Sequence, residues 1–67
     1  MLIKRSITIK KHRTSLSLEK EFWDALKIIA EEQKSSTENL ITEIDSDRKG
    51  SLASATRVYI LRFYVKN

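Results

Sequence analysis

The chain lacks cysteine altogether and has one histidine and one glycine in 67 residues. Without cysteine there is no disulfide framework and no thiolate metal site, and the composition fits a reducing cytoplasm. The lone His12 makes a poor metal site even if a two-fold axis doubles it, so neither metal nor cofactor is expected. A long hydrophobic run is missing too. The longest apolar-rich stretch, Val58 to Val65, is broken by Arg62 and falls far short of the ~20 residues of a membrane-spanning helix. Met1-Leu2-Ile3 meets Lys4 and Arg5 before a signal-type apolar run can form, so a soluble, non-membrane protein is expected. No nucleophile sits beside a base with an orienting group, and there is no glycine-rich phosphate loop, which argues against an enzyme.

What is present is charge, unevenly placed. Residues 1–20 carry six Lys or Arg against one Glu, residues 21–47 two against eight acids, and residues 48–67 five against none. The formal net charge of +4 is thus gathered at the two ends of the chain. Basic patches of this kind favour polyanions through steering and counterion release. A chain this short makes one domain, and a core this small is marginal without disulfide, metal or partner. A second copy of the chain is the expected support.

Read by periodicity, Ile3–Ile9 is a strand or an extended arm, followed by a basic connector, Lys10-Lys11-His12-Arg13. In Arg13–Leu18 the period is two: Arg13, Ser15 and Ser17 share a polar face, and Thr14, Leu16 and Leu18 share one that can enter a core. From Glu19 to about Gln33 the period lengthens. Phe22, Leu26, Ile29 and Ala30 form a helical stripe, with Trp23 at its margin where the indole N–H can find a partner. Lys34 to Thr37 interrupts the pattern, and either Ser35, in a capping box with Glu38, or Ser36 can start a second helix carrying Leu40, Ile41 and Ile44. A polar loop, Asp45–Gly50, precedes a segment that Ser51 can cap. Helix is preferred there over a terminal strand, because the cap and the alanines commit it early. The organisation expected is 1–12 as arm or extra strand, 13–46 as a β-α-α core, and 47–67 as loop and C-terminal helix of the same domain.

A lone strand leaves backbone groups unpaired. If Thr14–Leu18 meets the same strand of a second chain, an antiparallel two-stranded ribbon results. The expected dimer core is then Leu16, Leu18, Phe22, Leu26, Ile29, Leu40, Ile41 and Ile44, while Arg13, Ser15 and Ser17 face outward. Such a ribbon suits the major groove of B-DNA, where Arg13 can bond guanine O6 and N7. Lys10, Lys11 and His12 can touch phosphate, as can the N–H groups of a helix that begins at Ser36 and Thr37.

Arg13-Thr14-Ser15-Leu16-Ser17-Leu18-Glu19-Lys20-Glu21-Phe22-Trp23-Asp24-Ala25-Leu26-Lys27, with Ile29–Glu32, Leu40–Asp45 and Ser51–Val58, resembles the ribbon-helix-helix domain family of short bacterial proteins. It is similar, more distantly, to the Arc and MetJ class of repressors. The resemblance implies an α+β, mostly helical fold, a β-α-α unit with an additional C-terminal helix, and a homodimer sharing its ribbon. It further implies sequence-specific binding to double-stranded DNA as a transcriptional regulator. Arg13, Ser15 and Ser17 would face bases, and Ser36 would start the phosphate-binding helix. Lys34 stands where the family's inter-helix turn usually has glycine. If Ile3–Ile9 instead pairs with Thr14–Leu18 as a hairpin, the sheet becomes wider than a groove can easily accept, which counts against DNA binding through that face. The alternative class is a protein-interaction module, an adaptor or antitoxin-like dimer that uses the apolar C-terminal helix to dock on a partner.

Overall fold

The computed structural model describes residues 1–66. Strands β1 (Leu2–Ile9) and β2 (His12–Glu19) form an antiparallel hairpin, and α1 (Lys20–Glu32), α2 (Thr37–Ser46) and α3 (Leu52–Lys66) follow. The connector between the strands is only Lys10-Lys11, with φ of 51° and 70°. Two positive φ values in a two-residue connection are the signature of a type I′ turn, whose twist matches that of the strands it joins. Ile3–Ile9 is therefore a strand, and His12 is already part of β2.

The partner of β2 differs from the sequence expectation. Leu2 pairs with Glu19, and the register runs through to Ile9 opposite His12, so β2 takes β1 of its own chain as the partner along one edge. A turn two residues long makes this local pairing cheap, because little loop entropy is lost when its ends meet.

Helix α1 leaves β2 directly. At its far end Gln33 is the C-cap, Lys34 holds φ 54°, Ser35 N–H donates to Ala30 O at 2.8 Å and Lys34 N–H donates to Glu31 O at 3.1 Å. This is a Schellman closure, with lysine in the left-handed position that glycine usually fills. Helix α2 begins at Ser36, whose Oγ accepts from Asn39 N–H at 3.0 Å, so the cap is Ser36 and not Ser35. Ser51 Oγ accepts from Ser54 N–H at 3.1 Å and opens α3 as a helix.

The core lies between the inner face of the hairpin and the three helices. Ile7, Ile9, Leu16 and Leu18 from the strands meet Trp23, Leu26, Ile29, Leu40, Ile41 and Ile60 from the helices. Seven of the residues expected to form a dimer core, Leu16, Leu18, Leu26, Ile29, Leu40, Ile41 and Ile44, are already buried inside a single chain, and only Phe22 is half-exposed. Helix α3 makes this possible by packing on α1, α2 and β2. Its Thr56 is fully buried, with Oγ1 donating to Leu52 O at 2.8 Å, so the hydroxyl is satisfied within its own helix.

Candidate nucleic-acid interface

The alternation of the hairpin sorts its side chains into two faces. Residues directly opposite in an antiparallel pair point the same way. The register therefore places Lys4 with Ser17, Ser6 with Ser15, and Thr8 with Arg13 on the outer face. Each of these is exposed except Ser17, which is half-buried. From the Lys4–Ser17 pair to the Thr8–Arg13 pair the face away from the core thus carries two cations and four hydroxyls, and no acid.

Arg5 shows how sharply the strand discriminates. One residue from Lys4, it turns inward and lies over the Trp23 ring at 5.1 Å. Trp23 is pinned in turn, because Nε1–H donates to Ile3 O at 2.9 Å. The indole partner anticipated from sequence is thus the backbone of β1. Three cations elsewhere are matched with acids: Lys20 with Asp24 at 2.7 Å, Arg48 with Asp45 at 2.6 Å, and Arg57 with Glu19 at 3.0 Å. Among the described residues Lys4, Lys10, Lys11 and Arg13 take part in no such pair. Glu19 sits at the end of β2, where a hydrogen bond from its own backbone N–H, and then Arg57, hold its carboxyl below the ordinary value of 4.5.

The hairpin tip and the start of α2 flank this face. Lys10 and Lys11 form the tip itself, and His12, exposed, opens β2 beside them. At the β1 edge, Thr8 N–H donates to Glu38 Oε2 at 3.3 Å. That bond brings the first turn of α2, with Ser36 and Thr37, beside β1. It also shows that Thr8 N–H points away from β2. Bonded and non-bonded pairs alternate along an antiparallel ladder, so Ser6–Ser15 and Lys4–Ser17 are of the same non-bonded kind, with their side chains close together. Three outer-face residues of β1 were missed by sequence reasoning. The signal was the period-two pattern of Ile3, Ile7 and Ile9 against Lys4, Ser6 and Thr8, but it gains meaning only once β1 is known to pair with β2.

A family model for the ribbon-helix-helix domain matches residues 2–64. The chain belongs to the ribbon-helix-helix family. Members of this family generally bind DNA as transcription regulators, typically as dimers, and the domain is generally a non-enzymatic one. No curated protein and no solved structure matches the chain. The match takes in β1 and most of α3 as well as the β-α-α unit between them. Helix α3 carries an exposed apolar stripe of Val58, Leu61 and Val65. Among the described residues no helix is long and apolar enough to cross a membrane, and no three His, Asp or Glu side chains stand together as a metal cluster.

Proposed function

We propose that this protein is a sequence-specific regulator of transcription that presents the outer face of its hairpin to the major groove of duplex DNA. The observation that carries the reading is the outer face itself: Arg13, Ser15 and Ser17 stand exposed or half-exposed on a two-stranded ribbon whose other face is sealed by the core. A two-stranded ribbon fits the roughly 12 Å major groove, and an arginine there can make paired hydrogen bonds to guanine. Lys10, Lys11 and His12 at the tip supply contacts to phosphate, and the first turn of α2 at Ser36 and Thr37 adds N–H groups that favour an anion. Such contacts set register, while the ribbon face sets sequence.

Enrichment of bound sequences from a random duplex pool tests the proposal. A reproducible motif is expected, with affinity that falls as salt rises. Arg13→Ala should weaken the selected site by about tenfold and relax one position of the motif. If no motif emerges at low salt, or if Arg13→Ala binds as tightly as the parent, specific reading through this face is wrong.

A second reading, a protein-interaction module, is favoured by the stripe on α3, where Leu61 is 60% and Val65 74% exposed. The two readings separate on one pair of variants. Loss of duplex binding by Arg13→Ala but not by Leu61→Ser supports DNA reading by the hairpin. The adaptor is supported if Leu61→Ser alone removes function while duplex binding is absent in the parent.

A further inference from the structure

We infer that Glu38 is a positioning residue for DNA binding: it ties the phosphate-contacting start of α2 to the rung of the hairpin that carries Arg13, and so sets the angle between the two. The inference rests on the DNA-binding function proposed above and deepens it. Its basis is one bond and one register pair. Glu38 Oε2 accepts from Thr8 N–H at 3.3 Å on the outer edge of β1, and Thr8 lies directly across the ribbon from Arg13. Ser36, the N-cap of α2, stands two residues before Glu38. The base-facing arginine and the helix start are thus joined through the backbone of Thr8.

The sequence offers Glu38 another role, which the structure closes off. In a capping box with Ser35, the Glu38 carboxylate turns back to the N–H of Ser35. Here Ser35 N–H already donates to Ala30 O at 2.8 Å, and the cap is Ser36, whose Oγ accepts from Asn39 N–H. The carboxylate instead reaches out of its own helix to a strand 30 residues earlier in the chain. This placement has a drawback. An acid in the first turn suits the helix dipole, yet it stands where the same N–H groups are offered to a phosphate, and two anions repel. What the acid supplies is the bond to β1.

Apolar packing alone leaves the angle between hairpin and helix soft. Ile7 and Ile9, on either side of Thr8, enter the same core as Leu40 and Ile41, which holds α2 against β1. Burial of this kind is non-directional, whereas a hydrogen bond has a preferred distance and angle. Phosphates and base edges of a duplex stand at fixed offsets, so a protein that touches both must hold its own two sets of contacts at a matching offset. Glu38 does this within each chain, and therefore in each half of a dimer.

The test compares the parent, Glu38→Ala and Glu38→Gln, all as the full chain, on a duplex that the parent selects from a random pool. Affinity is read together with the thermal midpoint and with phosphate-ethylation interference, which shows each phosphate that binding needs. A Lys10→Ala, Lys11→Ala double variant marks the phosphates that belong to the hairpin tip. Glu38→Gln keeps an oxygen that accepts from Thr8 N–H and removes the charge, so it should keep the parent's phosphate pattern with equal or higher affinity. Glu38→Ala should lose the phosphates contacted by α2, keep those of the tip, and bind about two- to tenfold more weakly, the range that one hydrogen bond is worth. If the two Glu38 variants behave alike, in either direction, Glu38 acts through its charge rather than through the bond, and the inference is overturned. It is also overturned if Glu38→Ala lowers the thermal midpoint yet leaves pattern and affinity as in the parent, because Glu38 then only holds the fold. A parent that selects no motif at low salt removes the underlying function and the inference with it, a failure seen before either variant is made.

Discussion

At the scale of single residues, the structure holds side chains in places where a simpler choice exists, and those places make sharp predictions. Lys34 adopts φ 54° to close α1. A left-handed residue with a Cβ costs roughly 1–2 kcal/mol, partly offset because glycine loses more chain entropy on folding. Lys34→Gly should therefore stabilise the fold by about 0.5–1 kcal/mol, read as a higher denaturant midpoint at unchanged slope; a lower midpoint would show that the lysine side chain itself holds the turn. Glu19 gives a pH prediction. Its carboxyl is held below the ordinary 4.5 by its backbone N–H first and Arg57 second. A carboxylate whose pKa is lower folded than unfolded adds stability that is complete above the unfolded value and lost as pH falls through the folded one. Glu19→Gln should accordingly lower the thermal midpoint at neutral pH, and the gap to the parent should close as pH drops well below 4.5. A gap that persists unchanged in acid would mean that shape, not charge, is what Glu19 contributes.

At the scale of elements, the hairpin turn sets stability against function. Lys10 and Lys11 occupy both positive-φ positions of a type I′ turn, where Asn-Gly is the favoured pair. Replacing them together, Lys10→Asn with Lys11→Gly, should stabilise the hairpin by about 1 kcal/mol or more. It should also weaken duplex binding and reduce the salt slope by about two, one for each phosphate that a lysine no longer neutralises. Gain in stability without loss of binding would remove the tip from the DNA interface. All three left-handed lysines thus lie in turns bordering the proposed interface, at the hairpin tip and just before Ser36, which is where a local rule is expected to yield to function. These turns also mark the limit of what was legible beforehand. Helices α1 and α2 were plain in the sequence because their stripes, such as Phe22, Leu26, Ile29 and Ala30, follow a helical period, whereas in α3 only the Ser51 cap and the alanines tipped a segment rich in strand-forming residues towards helix. The outer face of β2 was equally plain from the alternation of Arg13–Leu18. The pairing of β1 was not, since an I′ turn built from two lysines carries none of the Asn-Gly signal that announces a hairpin. Missing that turn hid Lys4, Ser6 and Thr8 from the outer face of the hairpin.

At the scale of the whole molecule, the question is what a second copy would contribute. A ribbon shared between chains ties folding to association, and its thermal midpoint then rises with protein concentration. In this chain β2 is paired internally along its full length, and Leu18, Leu26, Ile29, Leu40 and Ile41 are buried without a partner. Helix α3 provides the cover, chiefly through Thr56 and Ile60. The unfolding midpoint should therefore be the same over a hundredfold range of concentration, even if copies associate on DNA. Ile60→Ala, which opens a cavity where α3 meets the rest of the core, should cost about 2–5 kcal/mol and is the substitution most apt to expose the sealed face of the hairpin. If instead the midpoint climbs steeply with concentration, the chain depends on its neighbour for stability. The internally paired hairpin and the cover given by α3 would then be insufficient to hold the fold without a second copy.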